Sequence, residues 1–466
     1  MKKFPRLVIA GIRGGTGKTL LSLSIVASAR FKKGLKVIPF KKGPDYIDSG
    51  WLARVAENPC YNLDSFFIPE DKIKYSFFKH FKGDIAIIEG NRGLFDGIDA
   101  SGSYSTAELS KLLKAPVILV IDCSKTTATV AAMVLGCINM DREVKIGGVV
   151  LNQVSGKRHE AVIRDAIVRH CHIPVLGAIP RLETELPERH MGLLPYQEHH
   201  DAEKIISIVR EIGERYIDIN GLITVAENTE LLRDDLDLSG QDKNATRTVK
   251  IGVVRDSAFQ FYYPENLEEL ERQGAELLEI SALSENQMPD IDAMYIGGGF
   301  PETHAIALAE NKTFLNSLGR SINRGLPVYA ECGGLMYLGK GLYLNERFYE
   351  MVNIFPITFT IEKRPQAHGY TIAEVVRKNP FYPSGVTIKG HEFHYSRPIL
   401  TENKSRGLDY AFSMRRGTGI AEKKDGLFYQ NVFATYTHVH AYGVPEWTEG
   451  MIMAAKRFQE IKEEKR

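Results

Sequence analysis

Apolar residues in the first half of the chain fall into short, nearly continuous runs: Leu7–Gly11, Lys36–Phe40, Asp84–Ile88, Pro116–Ile121, Ile146–Leu151 and Val175–Ile179. Stretches of helical character, such as Gly17–Ala29 and Thr126–Cys137, separate most of them. Buried strands alternating with helices predict a parallel sheet covered on both faces. Residues 199–225 read as one more helix and its exit. The pattern then breaks. Glu227–Thr248, with ENTELLRDDLDLSGQDKNATR, is polar, charged and without apolar periodicity, so it reads as an interdomain linker. A second alternation begins at Val249, with strands expected at Val249–Val254, Ala293–Ile296 and Pro327–Ala330 and helices at Pro264–Gln273 and Lys312–Asn323. Beyond about Phe348 the chain is richer in β-type and aromatic residues. Two α/β domains are expected, 1–226 and 249–466.

Length agrees, because 466 residues exceed what one core of roughly 100–200 residues accommodates. Charge excludes more than it suggests. With 59 Lys+Arg against 58 Asp+Glu, the net charge of +1 gives no electrostatic reason to expect nucleic acid or an anionic membrane. The five cysteines are scattered, an odd number without a CxxC pair, which argues against a disulfide framework and for a reducing, cytoplasmic setting. The opening MKKFPRLVIAGI has the order of a signal peptide, but its apolar run is short and meets Arg13 and a Gly-rich loop at once, so a first buried strand explains it better. No run approaches the roughly 18 apolar residues of a membrane span.

Gly11-Ile-Arg-Gly-Gly-Thr-Gly-Lys-Thr19 follows a predicted strand and opens a predicted helix. Gly11, Gly14, Gly15 and Gly17 let the backbone curl its N–H groups toward phosphate, and the helix N-terminus adds a favourable dipole. Lys18 is placed to reach the β/γ-phosphates, and the Thr19 hydroxyl to ligate Mg²⁺. Ile12 stands where the usual first glycine belongs, so the loop is a G-x5-G-K-T variant, similar to that of dethiobiotin synthetase-like P-loop proteins. Carboxylates follow at strand ends, where an open parallel sheet gathers its ligands: Asp45 and Asp48 in KKGPDYID, Glu89 and Asp96 in EGNRGLFDG. Oxygen ligands of this kind suit Mg²⁺. Asp45 and Asp48 also fit turn chemistry, as does the Asp-Gly at Asp96.

GIRGGTGKT, PFKKGPDYID, EGNRGLFDG, GGVVLNQV and LPERHMGL, followed by VVRDSAFQFYYPENLEEL, IGGGFPE, AECGGLMYL, HGY, GHEFHYS and TYTHVH, resemble in order the cobyrinic acid a,c-diamide synthases of anaerobic cobalamin biosynthesis. The resemblance spans nearly the whole chain. It implies a dethiobiotin synthetase-like amidoligase domain followed by a class I glutamine amidotransferase-like α/β domain. ATP would phosphorylate the c and then the a acetate of a tetrapyrrole-derived macrocycle, and ammonia from L-glutamine would displace phosphate. Lys18 and Thr19 would hold ATP and Mg²⁺. Asp45, Asp48, Glu89 and Asp96 would bind metal or steer the activated carboxylate, and Asn152 would contact adenine. A homodimer is compatible with this reading.

Cys332, in Tyr-Ala-Glu-Cys-Gly-Gly, directly follows a predicted strand. A cysteine on such a turn is held for attack, with a helix N-terminus expected to lower its thiol pKa. Gly333 can offer an N–H to an oxyanion, and the Gly298–Gly299 loop a second. Cys60, Cys123, Cys137 and Cys171 read as inert buried thiols. By resemblance to triad amidotransferases, His438 is the base. The Glu expected two residues later is His440, which leaves the third member open, with Glu392 one candidate. Ammonia released here calls for a sequestered path, since water destroys an acyl-phosphate.

Three other readings share these motifs. Ni-sirohydrochlorin a,c-diamide synthases of coenzyme F430 biosynthesis perform the same two amidations, and Glu89-Gly-Asn-Arg-Gly differs from the Glu-Gly-Val-Met-Gly of many cobyrinate enzymes. Cobyric acid synthase acts on other carboxylates. A P-loop switch or partitioning ATPase with an inactive amidotransferase-like appendage would have no need of Cys332 or His438.

Overall fold

In the computed structural model the first apolar run is strand β1 (Arg6–Gly11), buried at every position. Helix α1 (Lys18–Lys33) follows the Gly-rich loop and ends at Gly34, whose left-handed backbone lets its own N–H close onto the Arg30 carbonyl and the Leu35 N–H onto that of Ala29. Strands β2 (Val37–Lys42), β3 (Tyr61–Leu63), β4 (Ile85–Gly93), β5 (Val117–Asp122), β6 (Ile146–Val154) and β7 (Val175–Pro180) complete a seven-stranded sheet in the order 3-2-4-1-5-6-7. Every pairing in it is parallel. Helix α2 (Ile47–Ala56) sits just past β2. Leu7, Leu21, Trp51, Ile87, Val120 and Val209 share one fully covered apolar core. Each large side chain buried this way contributes about 1.5–3 kcal/mol.

The described residues are 3–182, 188–189, 192–198, 201–232, 247–400 and 408–464. The chain divides into two compact units, Met1–Leu238 and Ser239–Arg466. Where one helix was expected near residues 199–225 there are two, Ala202–Tyr216 and Ile219–Glu227. Asp218 caps the second by accepting the N–H of Gly221, which explains the break. The expected linker begins on the last residue of that helix. Just beyond, the Glu230 carbonyl accepts from buried Arg6, which also holds the carbonyls of Leu113 and Lys114. Residues 233–246 lie outside the described residues, as does half of LPERHMGL.

In the second unit the strands Ala275–Ile280, Val249–Val254, Ala293–Ile296, Val328–Glu331 and Val432–Thr435 lie side by side in that order, all parallel. The sheet then turns antiparallel through Lys424–Tyr429, Asp409–Arg416, Ala367–Val375 and Thr387–His394. Val432–Thr435, the last strand in sequence among the described residues, therefore occupies the middle of the sheet. Tyr295, Tyr329, Phe433 and Trp447 fill the core on one side, with the Tyr329 and Phe433 rings stacked at 5.5 Å. Met294, Leu318, Leu335 and Tyr436 belong to a second cluster.

Candidate active sites

Gly17 holds the Gly-rich loop at φ +92°, a left-handed backbone, and a Cβ there would lie 2.3 Å from Asn152 Nδ2. Asn152 donates from Nδ2 to the Thr16 carbonyl at 2.9 Å, and its Oδ1 accepts the Gln153 N–H. Asn152 thus braces the loop from its own strand. Lys18 reaches across the loop to the Arg13 carbonyl. Thr19 Oγ1 donates to Glu89 Oε1 at 2.8 Å and lies 3.3 Å from Asp48 Oδ2.

Glu89 does not end its strand. β4 runs on to Gly93, and Glu89 stands mid-strand in register with Ile9 on one side and Lys41 on the other. Cross-strand partners meet side chain to side chain. Lys41 Nζ accordingly lies 2.7 Å from Glu89 Oε1, 2.7 Å from Asp48 Oδ2 and 3.9 Å from Asp45 Oδ2, at 2% exposure. Sequence reasoning passed over Lys41. β2 continues two residues past the predicted Phe40, which carries Lys41 and Lys42 into the sheet, and a lysine closing a buried apolar strand was the available signal.

Electrostatics follow from that burial. Desolvation opposes the charge of Lys41, but Asp48, Glu89 and Asp45 outweigh it and hold its pKa well above the ordinary value. Asp45, pushed up by burial and then by the neighbouring Asp48 charge, has a pKa raised to about 7. Burial also pushes at Asp48, but the charge and hydrogen bonds of Lys41 draw it below the usual carboxylate range. Glu89 is raised by burial, and its Oε2 is buried with no hydrogen-bond partner. Asp45 also accepts the Asp48 N–H at 2.8 Å in the turn that leads into α2, so its turn role and its place in the cluster coexist. Asp96 accepts the Gly93 N–H at 2.9 Å, and its charge acts on Lys18.

In the second unit Val328–Glu331 breaks sharply at Cys332, which sits at φ 47°, ψ −97° before the short helix Gly333–Leu338. This is a strained turn of the kind that projects a nucleophile. The Cys332 N–H bonds to the Thr435 carbonyl at 2.8 Å. Asp425 fixes the segment that follows: it is fully buried and accepts from Thr435 Oγ1, the N–H groups of Gly426, Tyr436 and Thr437, and Thr437 Oγ1. That segment delivers His438.

His438 Nδ1 lies 3.2 Å from Glu331 Oε2, both buried. His391 stacks on the His438 ring at 4.9 Å, and the two residues exchange backbone hydrogen bonds. Glu392 is not at the base. The period of two along Thr387–His394 turns it to the other side of the sheet from His391, where it accepts the N–H groups of Thr418 and Gly419. His440 is buried, with Nε2 3.6 Å from Glu265 Oε2.

The thiol departs from expectation. Burial, then the charges of Glu302 and Glu331, raise the Cys332 pKa, and they outweigh the helix terminus that was expected to lower it. Attack therefore needs a base. Gly299 N lies 3.0 Å from where a Cβ on Gly333 would stand, so the two backbone segments expected to cradle an oxyanion adjoin. Gly298 serves by lacking a side chain: a Cβ there would sit 2.6 Å from His438 Cε1 and 3.3 Å from its Nε2. Gly298→Ala should displace the imidazole and cut glutamine-dependent turnover about 100-fold, since displacements on the scale of an ångström cost that much. Ammonium-dependent turnover should be unchanged, and parallel assays with the two nitrogen sources check both halves. Cys60, Cys123, Cys137 and Cys171 are buried.

A parallel-sheet P-loop unit and a cysteine–histidine unit in one chain define a nucleotide-binding, glutamine-hydrolysing amide ligase, and comparisons agree. A CobQ/CobB/MinD/ParA nucleotide binding domain matches residues 7–194, and a CobB/CobQ-like glutamine amidotransferase domain matches residues 250–444. Similar full-length proteins include the cobyrinate a,c-diamide synthase of Magnetococcus marinus, 40% identical over 456 residues and 96% of each chain. That of Archaeoglobus fulgidus is 40% identical over 94% of each chain. That of Methanothermobacter thermautotrophicus is 39% identical over 97% of this chain and 100% of its own. The chain belongs to the cobyrinate a,c-diamide synthase family. Among the described residues no helix is long and apolar enough to cross a membrane.

Proposed function

We propose that this enzyme converts the a and c acetate carboxylates of cobyrinic acid to carboxamides, using ATP and glutamine, in cobalamin biosynthesis. The observation that carries the reading is the set of two sites within a chain similar over almost its whole length to cobyrinate a,c-diamide synthases.

In the first unit a substrate carboxylate oxygen takes the γ-phosphoryl group of ATP, and ADP leaves. Lys18 steadies the phosphates. Lys41 holds Asp48 and Glu89 in place and offsets their repulsion toward an anionic substrate. Among the described residues no three His, Cys, Asp or Glu side chains form a ready metal cage. Mg²⁺ needs only one or two protein oxygens beside nucleotide phosphate. The partnerless Glu89 Oε2 and the Thr19 hydroxyl beside it fit that demand, with Asp45 next to them. Bound there, Mg²⁺ would neutralise phosphate charge.

In the second unit His438 takes the Cys332 proton as sulfur attacks the glutamine amide carbon. The oxyanion lies against Gly299 and Gly333. The proton passes to the departing ammonia, and water hydrolyses the thioester to glutamate. Ammonia attacks the acyl-phosphate carbon, the C–O bond to phosphate breaks, and the amide forms after loss of a proton.

One observation keeps a second substrate in view. Asn91, within the divergent Glu89-Gly-Asn-Arg-Gly, packs against the loop before Asp45: a Cβ on Gly43 would lie 2.7 Å from Asn91 Nδ2. The divergence therefore borders the acid cluster, where Ni-sirohydrochlorin would be told from cobyrinate. Mass spectrometry of products from each macrocycle, with ATP, Mg²⁺ and glutamine, should show a diamide from cobyrinic acid. Diamide from Ni-sirohydrochlorin alone would transfer the assignment to that substrate.

A further inference from the structure

We propose that Glu331, the residue immediately before the nucleophile, orients His438 and completes the glutaminase site. The inference rests on the cysteine–histidine reading above.

A histidine that accepts a proton at Nε2 must carry its own on Nδ1, and a partner there fixes both tautomer and ring orientation. Two residues past His438 stands His440, buried and facing Glu265 rather than supplying a carboxylate. Glu392 is engaged by Thr418 and Gly419, and Asp425 by the Thr435–Thr437 segment. Glu331 Oε2 is the carboxylate oxygen at Nδ1, 3.2 Å away. The carboxylate is itself held: Tyr295 donates its hydroxyl to Oε2 at 3.1 Å, and the Val439 N–H donates to Oε1 at 3.2 Å. Side chains next to each other on a strand point to opposite faces. The φ 47° turn at Cys332 ends the strand there, so Glu331 and Cys332 can serve one histidine. Glu331 grips the edge of the imidazole, His391 covers its face, and Nε2 is left beside the Gly298 loop.

Glu331 is thus a positioning residue. In the full-length chain, Glu331→Gln should lower glutamine-dependent kcat about 100- to 10,000-fold, the range seen when a triad carboxylate becomes an amide. Ammonium-dependent synthesis should persist. The acid limb of the kcat/KM profile for glutamine should move to lower pH, because the charge that favours imidazolium is gone. A structural defect would scale that profile without moving it. Glu331→Asp keeps the charge and should restore the acid limb and part of the rate. Should the glutamine variant fail to fold, ¹⁵N-histidine NMR of the unaltered protein decides, with the His438 signal assigned by its loss in His438→Gln. An Nδ1-protonated ring supports the proposal, and an Nε2-protonated ring overturns it. So does a Glu331→Gln enzyme within about threefold of the parent rate and with an unmoved acid limb. Cys332→Ala run beside it separates the failures: if that variant still uses glutamine, the glutaminase reading itself falls.

Discussion

Cys332→Ala should abolish glutamine-dependent amidation, with a fall of at least about 10³–10⁶-fold, the range for removing a nucleophile that acts as part of a unit. Ammonium chloride should restore amide formation in the same preparation. The reasoning is spatial and chemical. The thiol is at the break after Val328–Glu331, where burial and nearby carboxylates raise its pKa, so it needs the base proposed at His438. Alanine removes the bond-forming atom and leaves the ligase unit untouched. Product and glutamate, measured together under both nitrogen sources, report the two halves separately. Undiminished glutamate release would remove Cys332 from the mechanism.

Lys41→Met should damage synthesis from glutamine and from ammonium alike, by about 100-fold or more, because the group holding Asp48 and Glu89 is gone. It should also destabilise the first unit by about 3–5 kcal/mol, the cost of removing one partner from a buried ionic cluster. The pH dependence has a definite sign. Asp48 is held below its ordinary pKa chiefly by Lys41, so that contribution is present above the unfolded carboxylate pKa and is lost as pH falls through the folded value. The stability gap between parent and variant should be full at neutral pH and narrow in acid. Urea unfolding at several pH values measures it. A variant with parental midpoint and parental ammonium-dependent rate would show Lys41 to be dispensable.

The sheets were legible because buried parallel strands leave apolar runs that nothing else in a globular chain explains. Tyr61–Leu63 escaped notice as a strand of three residues, and Ala275–Ile280 because this edge strand leaves three of its six positions exposed. The sharp turn at Cys332 and the P-loop were legible because their glycines have local causes. What binds those residues together is not local. Lys41 meets Glu89 only through the register of β2 on β4. Glu331 passed as mere context for Cys332, since nothing in the chain's order says that His438, more than a hundred positions later, returns to it. Glu392 looked eligible as a carboxylate near histidines, but strand periodicity turns it to the wrong face. The thiol expectation failed for a similar reason. A six-residue helix is visible in sequence, whereas the depth of its burial is not.

The strand Val432–Thr435, which pairs with the strand leading to Cys332 and precedes His438, has a consequence for biogenesis. Of the described strands of this sheet, a ribosome delivers the central one last. On the roles proposed for Cys332 and His438, a nascent chain that ends between them lacks one of the two strands flanking Val328–Glu331 and lacks His438, so it should release no ammonia, although the first unit is already complete in sequence. On that proposal, order of synthesis would withhold glutamine breakdown until the unit proposed to consume its product has been made.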